Sequence, residues 1–321
     1  MRVLHPAIQR HLVPVVLFGL LALVPLLGLI MRDGYVLNLV SRVMILAIAA
    51  IGLDLILGYG ALVSFGHAAC VGIGAYGMGI MASHGHDGVL AGLLVALFAS
   101  AVFAAMTGLI ALRTKGVYFI MITLAFGQMA FYTAASLRAY GGDDGLTVAT
   151  RSLVMGANIL KSDRVFYYCI LALLLGVYLL CRVIVHSRFG RVLQGAKQNE
   201  QRMRAIGFNP YPYQLVAYVI AGMIAGLSGF LLANLTEFVS PAYMSWQRSG
   251  ELIVMVVMGG MGSLHGAVIG AAVFILAEEW LSGFTQHWKI IFGPFLVVVV
   301  LFMRGGILGA ITRFMGEKPR G

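Results

Sequence analysis

The residues of this sequence that could do chemistry form no enzymatic arrangement. None of its lysines follows a glycine, so it lacks the Gly-Lys pair with which a P-loop holds nucleotide phosphates. His84 and His86 are the closest pair among eight histidines, but two imidazoles without further ligands make a weak metal site. The simpler explanation is that both histidines are ordinary polar residues of a loop. The sequence therefore predicts no catalytic residue, no metal site and no bound cofactor.

Three charged residues fall within or at the edges of long apolar segments: Arg42, Asp54 and Glu251. A charge at membrane depth is costly, which suggests an ion pair or a polar cavity around Arg42 and Glu251. The simplest interpretation of Asp54, near the end of its segment, is that it reaches the membrane interface. The carboxylate and histidine relay that proton-driven carriers use is not evident.

A glycine-rich stretch contains a second group of candidates: Ser64, Gly66, His67, Gly72 and Tyr76. Small residues let membrane helices approach closely, so packing alone explains most of the 41 glycines of the chain. Ser64 and His67, however, place polar groups where a helix is expected to break. Broken helices at membrane depth are tolerated where they line a cavity or are buried in protein. We therefore predict that this segment lines or supports a substrate path.

A later stretch resembles the first one. Gly58 to Gly74 and Gly259 to Gly270 each place a glycine-bounded Ser and His ahead of small residues. Two halves of a transporter that share an ancestral unit show this kind of internal similarity. The pattern favours a structural repeat over a shared glycine bias.

The longest polar segment, residues 186–212, is basic and has a helical stretch from Arg188 to Ile206 that Gly207 and Pro210 end. It is either a solvated loop that sets topology or a coupling segment offered to a cytoplasmic partner. In the second interpretation, small residues permit close backbone approach and polar ones make directional contacts. The candidate coupling residues are Gly190, Arg191, Ala196, Asn199, Glu200 and Gly207.

The composition indicates what must position these residues. Hydrophobic residues make up 60% of the 321 residues, charged ones only 11%, and the mean hydropathy is +0.94. A membrane core about 30 Å thick needs roughly 20 apolar residues per helix. The segments that meet this length are 12–31, 35–57, 89–112, 117–137, 165–185, 213–235 and 288–303, to which the glycine-rich stretches 60–82 and 249–281 are added. Because 249–281 can hold two short helices, we predict one all-α, polytopic membrane domain over residues 1–321 with about ten transmembrane helices.

Orientation follows from the basic residues, which are retained on the cytoplasmic side in short loops. With the N-terminus inside, the segments predicted to be cytoplasmic hold more Lys and Arg than those predicted to lie outside. Residues 1–11, 186–212 and 304–321 are then cytoplasmic, and 138–164 form the longest outer loop. We expect a multi-pass protein of the bacterial inner membrane with both termini in the cytoplasm.

Several ordered motifs carry a family resemblance. Ser64-Phe-Gly66-His67 followed by Gly72-Ile-Gly74-Ala-Tyr76 resembles the signature of LivM-type permeases of branched-chain amino acid ABC importers. Further matches are Gly116 to Phe119, Thr123 to Gln128, Gly141 to Leu146 and Ser187 to Gly207. The resemblance covers residues 35 to 305.

The resemblance implies a translocation subunit that works with a second permease, two cytoplasmic ATPase subunits carrying ATP and Mg, and a periplasmic binding protein. It also implies that residues 186–212 dock the ATPase subunits. The implied substrates are leucine, isoleucine and valine, with urea, short-chain amides or aromatic acids as alternatives in the same family. An ion-coupled secondary carrier, or a channel or structural membrane protein, is the alternative from a different class.

Overall fold

The computed structural model describes residues 14–25, 34–86, 88–148, 151–152, 162–285, 287, 290, 292–294, 305–307 and 309. Over these residues the chain is almost entirely helical. The α-helices are α1 (Pro14–Pro25), α2 (Gly34–Leu57), α3 (His67–Ser83), α4 (Val89–Ala111), α5 (Val117–Ser136), α6 (Asp163–His186), α7 (Arg188–Gln198), α8 (Glu200–Ala205), α9 (Pro210–Thr236), α10 (Trp246–Gly259) and α11 (Leu264–Ser282). Short 3-10 helices span Arg138–Tyr140, Gly142–Asp144 and Pro241–Met244, and two short strands are β1 (Leu146–Thr147) and β2 (Phe238–Val239).

Six of the described helices are long and apolar enough to cross a membrane: α2, α4, α5, α6, α9 and α11. This confirms the predicted polytopic helical fold. The stretch 249–281 divides into α10 and α11, as expected. The stretch 60–82 is helical only from His67 onward, so the break expected near Ser64 and His67 is present. The predicted span 288–303 lies mostly outside the described residues.

The turns between helices fall into two groups at opposite ends of the bundle. One group, the basic end, consists of residues 58–66, 112–116, 187–209 and 260–263. Side-chain contacts connect these turns to one another, because Lys115 forms an ion pair with Glu200 and Lys197 donates a hydrogen bond to the carbonyl oxygen of Gly58. The other group, the opposite end, is joined by β1 and β2, which pair antiparallel with Leu146 facing Val239. The helices that run between the two ends therefore alternate in direction along the chain, as a multi-pass protein requires.

Helices α2 and α9 form the centre of the bundle. Residues 43–57 of α2 are buried except Leu46, because this helix is apolar on every side and packs against α6, α9, α10 and α11. The Ser228 hydroxyl on α9 donates a 2.8 Å hydrogen bond to the carbonyl oxygen of Ile45. In contrast, only 22% of the apolar part of each of α4 and α5 is buried.

Glycines allow α3 to lie directly on α9. A Cβ atom at Gly74 would overlap the carbonyl oxygen of Gly226, and one at Gly229 would overlap the carbonyl oxygen of Val71. The two backbones therefore touch without intervening side chains. Close approach of this kind is how helices gain van der Waals contact in lipid, where no hydrophobic force drives them together.

The predicted single helix from Arg188 to Ile206 is wrong, because α7 ends before Asn199 and α8 begins after it. The Asn199 side chain accepts a 2.9 Å hydrogen bond from the Arg202 amide, which caps α8. Asparagine competes for backbone donors in this way and starts helices better than it continues them. The predicted end is correct, since Gly207 has a φ of +90° and Pro210 begins α9.

Candidate functional site

The start of α3 is held in place by side chains from three other helices. The Phe65 amide donates to the Thr123 hydroxyl on α5 at 3.2 Å, and the Ala68 amide donates to the Ser249 hydroxyl on α10 at 3.1 Å. The Ser64 hydroxyl lies 3.3 Å from the Tyr218 hydroxyl on α9. The first amides of a helix have no partner within the helix, and lipid offers none. These contacts explain how a helix can begin inside the bundle.

The five predicted path residues have different surroundings. Ser64 is fully buried, and Gly66 and Gly72 leave room for the Thr123 carbonyl and the Met244 side chain. His67 is also buried, and its Nε2 atom has no hydrogen-bond partner among the described residues. Tyr76 differs from the others because it lines a cavity. Their role in a substrate path stays a prediction.

The cavity beside Tyr76 has a volume of about 480 Å³ and lies between α3, α4 and α5. Its walls are mostly apolar and include the exposed side chains of Met106 and Met129. The Tyr76 hydroxyl is buried and has no hydrogen-bond partner within the described part of the chain. The sequence reasoning selected Tyr76 but missed the apolar residues of α4 and α5 around it, because exposed and cavity-lining apolar residues have the same pattern.

The intramembrane charges Arg42 and Glu251 form ion pairs with other charged side chains. Arg42 faces Glu278 on α11, with 3.7 Å between Nη2 and Oε2, and Arg248 donates a 2.8 Å hydrogen bond to Glu251 one turn away on α10. Arg42, Arg248 and Glu251 line one cavity of about 210 Å³. Of the two expectations for Arg42 and Glu251, an ion pair or a polar cavity, the structure thus shows an ion pair for each.

The interpretation of Asp54 as an interface residue is wrong, because its side chain is 0% exposed. Its Oδ1 atom accepts a 2.8 Å hydrogen bond from the Gly262 amide in the turn between α10 and α11. A side chain at Gly58 would overlap both of these groups. The two glycine-rich stretches that the sequence singled out thus meet each other at the basic end.

The coupling segment lies directly on these turns. Helix α7 buries Val192, Leu193 and Ala196 and exposes Arg191, which makes it amphipathic. Gly190 allows α7 to start against the end of α6, because a Cβ atom there would lie only 2.5 Å from the carbonyl oxygen of Ile184.

Ionic contacts complete the attachment. The Lys197 ammonium donates a 2.6 Å hydrogen bond to the carbonyl oxygen of Gly58. Glu200 at the start of α8 pairs with Lys115 in the turn between α4 and α5, and with Arg204 at 2.7 Å. The hydrogen bond from Lys115 lowers the pKa of the Glu200 carboxyl, so it is ionised at neutral pH. Five of the six predicted coupling residues lie on α7, α8 or the junction between them, and Gly207 follows α8.

The sequence model of one family, described as "Branched-chain amino acid transport system / permease component", matches residues 35–312. The chain belongs to this family. It is 25% identical over 294 residues to the permease protein LivM of Salmonella typhimurium, which covers 84% of this chain and 69% of the relative. It is 25% identical to the permease protein LivH of the same organism and to BraD of Pseudomonas aeruginosa, each match covering 82% of this chain and 91% of the relative. No solved structure matches.

Membership in the branched-chain amino acid permease family agrees with the helical bundle. The LivM and LivH relatives are both named as permease proteins of a high-affinity branched-chain amino acid transport system. The chain is therefore a multi-pass membrane protein of a transport family. Its two short helices outside the spans, α7 and α8, lie at the basic end.

Proposed function

We propose that this chain is one of two permease subunits of an ATP-binding cassette importer and moves leucine, isoleucine and valine across the bacterial inner membrane. The observation that carries the proposal is the attachment of α7 to the turn between α2 and α3. An amphipathic helix fixed to the turns of several membrane helices can pass a movement from a docked subunit to all of them. A solvated loop needs no such attachment.

The energy for transport comes from other chains in this proposal. The sequence has no Gly-Lys pair for a P-loop, and the proposal assigns no cofactor to this chain. ATP and Mg bind to two cytoplasmic ATPase subunits that dock on α7 and α8. Closure of those subunits moves α7, and the turns at Gly58 and Gly262 move with it. The permease contributes a path and no covalent chemistry.

A second permease completes the path. Helices α4 and α5 expose apolar faces, including Leu94, Phe98 and Tyr132. Such faces suit either lipid or another apolar helix, and the two relatives LivM and LivH belong to one transport system by name. The proposal places both termini in the cytoplasm, as the distribution of basic residues favours. A periplasmic binding protein delivers the substrate at the opposite end, where residues 138–148 lie.

Reconstitution tests the proposal. The chain is placed in proteoliposomes with a second permease, two ATPase subunits and the binding protein, and uptake of radiolabelled leucine is measured with and without ATP. Uptake should require ATP and stop when the P-loop lysine of the ATPase subunits is replaced. Uptake that persists without ATPase subunits and follows a proton gradient would show a secondary carrier, and flux that ignores both would show a channel. Competition by unlabelled valine, urea, short-chain amides and aromatic acids separates the substrate classes.

A further inference from the structure

We propose that the cavity of about 210 Å³ between α2, α3, α9 and α10 is a subsite for an aliphatic amino acid in its zwitterionic form. This inference rests on the proposed function and adds to it a site in this chain and the chemistry that recognises the substrate. The cavity lies toward the opposite end of the bundle, because Thr236 ends α9 and Arg248 lies in the first turn of α10.

Arg42 forms a cationic side of the cavity. At 3.7 Å, Arg42 Nη2 is too far from Glu278 Oε2 for a hydrogen bond, so this ion pair saturates none of the five guanidinium N–H donors. About a third of the Arg42 side chain is exposed, and it forms part of the cavity wall. A planar guanidinium is well suited to bind a carboxylate through two parallel hydrogen bonds.

Glu251 forms an anionic side of the same cavity. Glu251 is mostly buried and accepts a 2.8 Å hydrogen bond from Arg248. A carboxylate has about four acceptor sites and can accept hydrogen bonds from more than one donor at once. An α-ammonium group is a strong donor that suits such an acceptor. One small cavity thus carries both charges that an amino acid backbone needs.

The remaining wall of the cavity is mostly apolar. It is formed by aliphatic and thioether side chains, which suit a branched hydrocarbon: Leu46, Val71, Leu232, Leu252 and Met255, together with Ala68. Urea and short-chain amides carry no full charge and little hydrocarbon, so this combination of walls suits them poorly. Drug-sized ligands occupy pockets of about 300 to 1,000 Å³, and the smaller volume here fits a smaller molecule.

The position of Ala68 relates the subsite to the predicted substrate path. Ala68 follows His67 in the first turn of α3, and its amide is bonded to Ser249 on α10. The α3 segment selected from the sequence therefore forms one wall of the subsite through Ala68 and Val71, whereas Tyr76 faces a different cavity.

Protection from a thiol reagent tests the subsite. Thr236 lines the cavity and is exposed, so Thr236→Cys reports on its occupancy, in a background where the exposed Cys169 is Ser. Labelling by a maleimide is measured on the assembled importer in nanodiscs without the binding protein. With leucine at about ten times its Kd, mass action predicts about tenfold slower labelling. Leucinamide, which lacks the carboxylate, and 4-methylpentanoate, which lacks the ammonium, should give no protection at that concentration.

Variants of the two charged walls test whether protection by leucine depends on each charge. Arg42→Gln or Glu251→Gln should raise the leucine concentration needed for protection about tenfold or more, because each removes a charge-assisted hydrogen bond. Arg113→Gln, an exposed arginine at the basic end, is the matched control and should leave protection unchanged. If a charge variant does not assemble, Leu252→Phe fills the apolar wall instead and should abolish protection.

The outcomes separate the subsite from the proposed function. If the Thr236→Cys importer takes up leucine with ATP but leucine, leucinamide and 4-methylpentanoate all leave labelling unchanged, the subsite is overturned and the proposed function stands. Equal protection by all three would also overturn it, because recognition would then ignore both charges. If the importer takes up no leucine and none of the three compounds slows labelling, both proposals fail.

Discussion

The ammonium of Lys197 donates a 2.6 Å hydrogen bond to the carbonyl oxygen of Gly58, which joins α7 to the turn between α2 and α3. Gly58 lies against the Asp54 carboxylate and the Gly262 amide, so the turn between α10 and α11 is part of the same contact. One side chain outside the spans thus contacts a point where four membrane helices meet.

Lys197→Met should loosen the connection between ATP hydrolysis and transport. The substitution keeps the aliphatic stem and removes the donor, and a hydrogen bond of about 1 kcal/mol corresponds to roughly a fivefold change in an equilibrium. The amount of leucine imported per ATP hydrolysed should fall about as much, while ATPase subunits still co-purify. Gln198→Met, a neighbouring exposed residue, is the control. An unchanged ratio would exclude the Lys197 contact from coupling.

Glu200→Lys should abolish uptake and weaken co-purification of the ATPase subunits while membrane insertion persists. The variant places a third positive charge beside Lys115 and Arg204, where attraction now holds α8 to the turn between α4 and α5. Glu200→Gln, which only removes the charge, should have a smaller effect, since exposed ion pairs contribute about 1 kcal/mol or less. Full uptake by Glu200→Lys would show that α8 does not need this contact.

The same carboxyl sets a pH dependence. Its pKa is lowered from an ordinary value of 4.5, so its ion pair stabilises the folded protein above that pH and is lost as the pH falls through the lower folded-state pKa. The difference in thermal unfolding midpoint between the wild type and Glu200→Gln should be constant from neutral pH down to about 4.5 and shrink below it. A difference that shrinks between pH 6 and 8 would contradict this assignment.

Gly190→Asp should reduce both folding stability and uptake. A Cβ atom at this position overlaps the carbonyl oxygen of Val185, and a carboxylate beside carbonyl oxygens is repelled. Overpacking of this kind costs about 1 to 3 kcal/mol. Gly176→Ala in α6 is the matched control, because a Cβ atom there has nothing within 4 Å. Thermal stability and leucine uptake measure the effect, and a stable, active Gly190→Asp would contradict the close approach of α7 to α6.

Gly66→Val distinguishes packing from a role in the path. A Cβ atom at Gly66 would lie 2.5 Å from the Thr123 carbonyl oxygen on α5, so we expect abundance in the membrane and uptake to fall together. Quantitative immunoblotting and leucine uptake on the same vesicles give the two values. Normal abundance with lost uptake would instead assign Gly66 to the substrate path.

The sequence alone determined the membrane class and most helix positions, because lipid imposes a local rule. A helix that crosses the membrane needs about 20 apolar residues in a row, and this can be read without knowing its neighbours. Helices α2, α4, α5, α6 and α9 were predicted to within three residues at each end. The absence of a P-loop and the position of the basic segment are also local properties.

Tertiary structure alone decided the partners of the polar groups. Arg42 faces Glu278, which is 236 positions away, and Asp54 bonds the Gly262 amide, which is 208 positions away. Ion pairs and hydrogen bonds depend on atoms a few ångströms apart, and neither hydropathy nor spacing specifies which helices touch. For the same reason the sequence marked Arg42 and Glu251 as charges that need a polar environment, but only the packing of α2, α3, α9 and α10 placed them around one cavity.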